Sequence, residues 1–264
     1  MNNKVSVVIP FFNEIELINR AVQSAQRNLE KFPGSEILIC NDSSYTGAQI
    51  LEMIDCQSST ILKVVKNRGS KGPGANRNAG IDDAKNDIIA FLDADDYWKP
   101  DKISAQIDLI NEGFNFIATA YEFEYSETII KPANSIKKPI EVFMKRGLGT
   151  STIIITKELF SSLRFSNIRY AQDIDFWFRL SQNTSFRYAC LDTSFVVYST
   201  NGSTRNKFEQ LRYVNKVLVK NHISTLQRIF ILFRYSVAGI WNHYIKNYFG
   251  LNKIVKNLYH TLQK

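Results

Sequence analysis

The chain has 264 residues, 44% of them apolar, enough for one large α/β domain or a domain with a small appendage, and too apolar for a disordered chain. Its net charge of +8 is uneven: residues 205–264 carry eleven Lys/Arg against one acid, Glu209, a net +10, which leaves −2 on the first 204 residues. Cys40, Cys56 and Cys190 are widely spaced with no CxxC pair, which argues against a zinc site or a disulfide framework and for buried free thiols in a reducing compartment. No basic stretch followed by an apolar run opens the chain, and no segment offers about 20 continuous apolar residues. The expectation is a cytoplasmic body without a signal peptide or spanning helix.

The first hundred residues alternate strand and helix patterns. Residues 5–9 form a β-branched run, and 14–31 place Ile15, Ile18, Val22, Ala25 and Leu29 on one helical face. Strand patterns follow at 36–40, 60–66 and 87–92, with helices predicted over 46–54 and 76–84. This alternation predicts parallel βαβ units in a sheet covered on both faces. Further on, helices are predicted over 102–111, 157–163 and 172–181, and strands over 114–125, 151–155 and 195–198.

In open α/β sheets, ligands bind in the crevice beyond the carboxyl ends of the strands. That rule collects three polar stretches, 10–14, 41–44 and 93–96, each directly after a predicted strand. Asp93, Asp95 and Asp96 lie close together and would repel one another; a hard divalent cation resolves that repulsion, and capping of the next helix is the structural alternative. Asp42 could accept a hydrogen bond from a uracil N–H or simply form an Asx turn. The Gly-rich stretch 69–80 lacks the GK[ST] ending of a P-loop. It leads into a helix whose N-terminus, with Lys71 and Arg77, favours an anion, or it is only a connection. Asp173 opens the predicted 172–181 helix, either as a dipole partner or as a general base. Trp98, Tyr170 and Trp177 could stack on a sugar, although core packing is the simpler use of each.

The combination is more specific than its parts. VSVVIPFFNE, then NDSS, then GSKGPGANRNAG, then FLDADDYWKPDKI, then QDIDFWFRL occur in that order. Over about residues 4–204 the sequence resembles the family 2 glycosyltransferases of GT-A fold. It is especially similar to the bacterial enzymes that build O-antigen and capsule repeat units, which places it with lipopolysaccharide synthesis.

The resemblance implies an α/β, Rossmann-like nucleotide-sugar-binding fold, with a mostly parallel central sheet flanked by helices. Residues 1–100 would form the nucleotide-sugar half, 101–204 the acceptor half, and 205–264 basic, aromatic C-terminal helices. It implies that Pro10, Phe11, Asn13 and Glu14 contact the nucleotide, that Arg77 is the Arg of the family's ARN stretch, and that Asp42 reads the uracil. Asp93, Ala94 and Asp95 stand at the DxD motif, Asp93 near ribose and sugar and Asp95 on the metal, Mn²⁺ or Mg²⁺, with Asp93 the second candidate ligand. Asp173 would be the base of an inverting reaction. Three positions depart from the family pattern: NDSS stands for DDGS, Gln172-Asp173 for ED, and Asn76 for the Ala of ARN. All three histidines lie in the tail, so the metal would be held mainly by Asp95 and the diphosphate. The QxxRW motif and spanning helices of processive members are absent, so one sugar per acceptor is expected.

In the tail, Phe230, Phe233, Tyr235, Trp241, Tyr244, Tyr248 and Phe249 interleave with Arg228, Arg234, Lys246, Lys253 and Lys256. Amphipathic helices of this kind lie in a membrane interface, each cation adding about 1 kcal/mol near anionic lipid; a helical pair packed on the domain is the alternative. The expected activity is transfer of one hexose or N-acetylhexosamine from a UDP-sugar to an undecaprenyl-diphosphate-linked saccharide. The expected place is the cytoplasmic face of the inner membrane, peripherally bound to its anionic surface, with no nucleic-acid partner. A sugar nucleotidyltransferase, a nucleic-acid-binding protein using the basic tail, and a non-catalytic GT-A-like protein are the competing readings.

Overall fold

The computed structural model describes residues 3–55, 60–67, 69–145, 147–160, 162–200 and 207–236. The chain divides into two compact units, 1–203 and 204–264. In the first, β1 (Val5–Phe11), α1 (Ile15–Leu29), β2 (Glu36–Asn41), α2 (Gly47–Glu52), β3 (Ile61–Lys66), α3 (Pro73–Asp83) and β4 (Ile88–Phe91) alternate as predicted. There follow β5 (Tyr97–Trp98), α4 (Lys102–Asn111), β6 (Phe116–Phe123), α5 (Glu141–Met144), β7 (Ile154–Thr156), α6 (Lys157–Phe160), α7 (Gln172–Leu180) and β8 (Tyr188–Tyr198).

One eight-stranded sheet runs in the order β3-β2-β1-β4-β7-β6-β8-β5. Its first four strands are parallel. β7 then runs antiparallel to both β4 and β6, and β6 pairs with β8 in parallel. The two-residue β5 closes the far edge, antiparallel to β8. Two reversals thus point β6 the same way as β1 and β4, so that its carboxyl end joins theirs along one sheet edge.

β1 is buried along nearly its whole length, as a strand covered on both faces requires. Val5, Val7, Ile9 and Phe11 share the α1 side with Ile18, Val22 and Leu29. Val8 faces α3, which comes so near that a Cβ at Gly80 would stand 2.5 Å from Val8 Cγ1 and 2.7 Å from Cys40 Sγ. Only glycine permits that approach. The aromatic residues of α7 fill the same side: the rings of Trp177 and Phe91 are 5.9 Å apart, and those of Trp177 and Phe116 5.2 Å. Trp98 and Trp177 are both core residues, as their simpler reading held.

Several boundaries differ from expectation. α3 begins at Pro73 rather than residue 76, because Pro73 at its first turn needs no N–H partner. Residues 150–152 form a 3₁₀ turn rather than the start of a strand, and β7 begins at Ile154. β8 is longer than the predicted 195–198, since its first half pairs with β6. Cys40 is a buried thiol, whereas Cys190 is only half-buried; Cys56 lies outside the described residues.

α4 buries a lysine that forms no ion pair among the described residues. Lys102 is fully buried, donates to Gln106 Oε1 at 2.7 Å and lies 4.2 Å above the Trp98 ring. Burial pushes its pKa well below the ordinary lysine value. Between that lowered value and the unfolded value of about 10.4, the unfolded chain binds one more proton, so stability rises with pH through this window. Lys102→Met is therefore expected to be more stable than the wild type on the acid side of the window. Its advantage should shrink by up to about 1.4 kcal/mol per pH unit as the pH climbs. Urea unfolding of both proteins between about pH 6 and 10 measures this; a pH-independent difference would show that Lys102 stays charged.

In the second unit, α8 (Lys207–Lys220) is followed by a helix, α9, over 225–236. No described helix is long and apolar enough to cross a membrane. The predicted tail residues Trp241, Tyr244, Lys246, Tyr248, Phe249, Lys253 and Lys256 lie outside the described residues.

Candidate active site

The candidate site is laid along the carboxyl ends of β1, β2 and β4. After β1 the chain turns sharply, and Glu14 Oε2 accepts from the backbone N–H groups of Phe12 and Asn13 at 2.8 and 3.0 Å. The Glu14 carboxylate thereby shapes its own loop. Pro10, next to last in β1, is half-buried. Phe11 is fully buried in the core, so its side chain faces away from any nucleotide. Its carbonyl instead receives Asp42 N at 3.0 Å and Asn76 Nδ2 at 3.3 Å. The exposed aromatic of this loop is Phe12, 51% accessible, which the sequence reading did not select. A Phe-Phe pair at a strand end was the available signal, since period-two alternation sends one ring inward and the next outward.

At the end of β2, Asn41 Oδ1 accepts from Ser43 N and Ser43 Oγ, while its amide donates to Tyr45 O at 2.7 Å. The Asx turn is thus made by Asn41. Asp42 is left to reach across the crevice, where its Oδ2 accepts from Gly72 N at 2.8 Å. Gly72 has φ +114°, a conformation glycine adopts without strain. Asn76 is 2% exposed; besides its bond to Phe11 O, its Oδ1 accepts from Asn67 Nδ2 at 2.9 Å. The departure from Ala at this position therefore ties the ends of β1 and β3 to α3. Lys71 is exposed on the loop before α3.

The carboxylates after β4 have three different environments. Asp93 is ion-paired with Arg77, and its backbone N–H donates to Ser151 Oγ at 3.0 Å. Asp95 is partly exposed, and its carbonyl accepts from Arg20 Nη2 at 3.0 Å. Asp96 is 2% exposed, accepting from Ser151 Oγ at 2.6 Å and Ser199 N at 3.2 Å. Burial, then the nearby Asp93 and Asp95 charges, push its carboxyl well above the usual range. Asp96 thus belongs to the interior and leaves two acids facing the crevice. Ala94 is buried, so only its backbone can meet a ligand.

Arg77 joins these acids to α7. Its side chain is almost wholly buried, with its guanidinium 5.5 Å from the Phe165 ring centre. Burial alone would lower its pKa; Asp93 first, then Asp173 and Tyr198, more than offset this and raise it. Arg77 therefore stays charged under the influence of Asp93 and Asp173 together. Its Nε and Nη1 have no hydrogen-bond partner among the described residues.

Asp173 and Asp175 lie two residues apart in the first turn of α7 and are used differently. Asp173 is partly exposed, and its Oδ1 accepts from Ile174 N at 2.9 Å. Asp175 is fully buried, accepting from Ser166 Oγ and from Arg179 Nε at 3.0 Å. Gln172, at the position of the family's Glu, is 8% exposed, and its Oε1 has no hydrogen-bond partner among the described residues.

The described residues contain no group of three His, Cys, Asp or Glu that could hold a metal ion. Asp93 and Asp95 remain as partly exposed oxygen donors. A hard cation bound by one or two carboxylates and completed by substrate phosphates suits such a pair, so the donor set fits a divalent ion that arrives with a diphosphate.

Beside Asp95, reached through Arg20, opens a cleft of about 630 Å³ with Tyr97, Glu122, Glu124, Tyr125 and Glu127 among its lining residues. Glu124 is ion-paired with Arg20, and Glu122 with Lys99 at 2.8 Å. Tyr125 is fully exposed, at φ +60°.

Comparison with known proteins identifies the family and the fold. The family description "Glycosyl transferase family 2" matches residues 6–190. The chain is 30% identical over 246 residues to the Escherichia coli enzyme WfaP, covering 90% of this chain and 95% of the relative. It is 25% identical over 248 residues to WfgD of the same organism, covering 90% and 94%. Both relatives are named as UDP-Glc:alpha-D-GlcNAc-diphosphoundecaprenol beta-1,3-glucosyltransferases. Among solved structures, S. aureus TarS 1-349 in complex with UDP-GlcNAc superposes with a TM-score of 0.66 at 19% identity, covering 86% of this chain and 69% of that one. The fold is GT-A, and the chain belongs to glycosyltransferase family 2.

Proposed function

We propose that this glycosyltransferase moves one hexose or N-acetylhexosamine from a UDP-sugar to an undecaprenyl-diphosphate-linked saccharide, with inversion, during synthesis of an O-antigen or related surface polysaccharide. The observation that carries the proposal is the ion pair of the buried Arg77 with Asp93 at the end of β4, with the Asp173 charge also acting on Arg77. The full-length similarity to two enzymes named for UDP-glucose and a diphosphoundecaprenol acceptor supports the substrate class. We place the reaction at the cytoplasmic face of the inner membrane, where a lipid-linked acceptor meets a soluble nucleotide sugar.

In this reading Asp42 accepts from the uracil N–H, exchanging its bond to Gly72 N for the base, and Phe12 lies against the ring. Asp93 and Asp95 would hold a divalent ion, Mn²⁺ or Mg²⁺, whose charge offsets that of the departing diphosphate. Arg77 fixes the Asp93 carboxylate and keeps positive charge beneath the site. Asp173 holds Oδ1 on Ile174 N and presents Oδ2 to an acceptor hydroxyl, whose proton it takes as the oxygen attacks the anomeric carbon opposite the diphosphate. The aromatic and acidic cleft beside Asp95 offers the ring faces and carboxylates that bind saccharide hydroxyls, and we assign the acceptor to it. An α-linked donor then yields a β-glycoside.

The test offers the purified protein UDP-glucose, UDP-GlcNAc, UDP-galactose and GDP-mannose with a detergent-solubilised GlcNAc-diphospholipid, with and without EDTA. Expected are UDP release, one added sugar by mass, a β-linkage by NMR and loss of activity in EDTA. An α-linked product would refute inversion, and activity persisting in EDTA would refute the metal.

A further inference from the structure

α9 is apolar on two opposite faces. Ile231 is buried, and Leu232 and Tyr235 are half-buried; Leu232 and Ser236 line a groove with Leu211, Arg212 and Asn215 of α8. That face is accounted for by packing between the two helices. The other face carries Leu226, Ile229, Phe230 and Phe233, which are 82%, 61%, 53% and 65% exposed. At i, i+3, i+4 and i+7 these four form one stripe down the helix. Helices of soluble proteins turn such stripes inward, so an exposed one marks a docking surface.

The charge around it narrows the occupant. On α8, Arg212, Lys216 and Lys220 are exposed at i, i+4 and i+8, one basic row along the helix. Arg212 meets α9 at Leu232 and Ser236, one step round the helix from the apolar stripe. Residues 205–264 carry a net +10, which would repel a second copy of the same unit and attract an anionic surface. Apolar anchors flanked by cations are the chemistry of an interfacial helix.

We propose that Leu226, Ile229, Phe230 and Phe233 of α9 dock the protein on an anionic lipid bilayer, with the Arg212–Lys216–Lys220 row selecting for acidic headgroups. This rests on the lipid-linked acceptor proposed above only for its purpose; the docking itself is read from unit 204–264 alone.

The full-length protein is sedimented with large unilamellar vesicles of phosphatidylethanolamine and phosphatidylglycerol, and with vesicles of phosphatidylcholine alone. The wild type is expected to bind the anionic vesicles at least about tenfold more tightly, since each cation near the surface adds about a fivefold preference. Ile229→Ser with Phe233→Ser is expected to weaken binding to both compositions about tenfold or more, at unchanged helical circular dichroism and melting temperature. Lys216→Gln with Lys220→Gln should lose only the preference for anionic lipid. Three outcomes overturn the proposal: a wild type that does not sediment with anionic vesicles, a stripe variant that binds as the wild type does, or a dimer in solution that the stripe variant dissociates. Transfer to a short-chain, water-soluble acceptor, measured beside the vesicles, separates the two readings. If the wild type transfers sugar to nothing, the proposed function fails while the sedimentation result still decides the docking face.

Discussion

Asp173→Asn is expected to lower sugar transfer by about 10²–10⁴-fold, the usual contribution of a positioned general base, while leaving the melting temperature and UDP-sugar binding nearly unchanged. The amide keeps the shape of the carboxylate and can still accept from Ile174 N through its oxygen. What is lost is an oxygen able to take a proton. Because Asp173 is partly exposed, neutralising it leaves no buried charge unpaired. The loss should appear in kcat and kcat/KM alike, since the proton transfer belongs to the transition state. Initial rates with saturating acceptor, together with UDP-sugar titration by calorimetry, check both halves. A variant that retains more than about a tenth of wild-type kcat would remove Asp173 from the base role.

Asp175→Ala is expected to do the reverse, acting on the fold before the chemistry. Its carboxylate is fully buried, accepts from Ser166 Oγ and Arg179 Nε, and sits in the turn that Arg179 also ties to Arg164 O at 2.6 Å. Removing one partner of a buried ion pair leaves an uncompensated charge and costs about 3–5 kcal/mol. At about 2–4 °C per kcal/mol for a domain of this size, the melting temperature should fall by roughly 6–20 °C. Asp175→Asn, which keeps the acceptor oxygen, should recover part of that loss. Thermal unfolding of the two Asp175 variants beside Asp173→Asn measures the contrast directly. A stable, inactive Asp175→Ala with an unstable Asp173→Asn would exchange the roles of the two acids.

The two acids mark where sequence reading stopped. Within Gln172-Asp173-Ile174-Asp175, local chemistry gives both carboxylates the same favourable place in the first turn of a helix. Which of them faces the crevice depends on what packs against α7, and that includes Ser166 and Arg164 from a preceding loop. The same holds for Asp93-Ala94-Asp95-Asp96: Asp96 turns inward because Ser151 and the backbone of Ser199, 55 and 103 residues away in the chain, converge on it. Phe11 and Phe12 divide in the same manner between the core and the crevice.

The alternation of strands and helices through β4, the placing of polar stretches at strand ends and the family resemblance all follow from short-range patterns. A buried parallel strand must be continuously apolar, and an amphipathic helix must repeat its apolar face every 3.6 residues, so both can be recognised in isolation. The order of the later strands, the two-residue β5 and the antiparallel insertion of β7 could not be read in this way, since short strands gain their stability from partners far along the chain. The sequence by itself therefore determined the parallel βαβ frame, the candidate acids and the basic character of the tail. Only the tertiary structure decided which acids are buried and which stay partly exposed, that Arg77 pairs with Asp93, and which face of α9 is exposed. Each of those depends on burial, and burial is a property of the packed chain rather than of any segment within it.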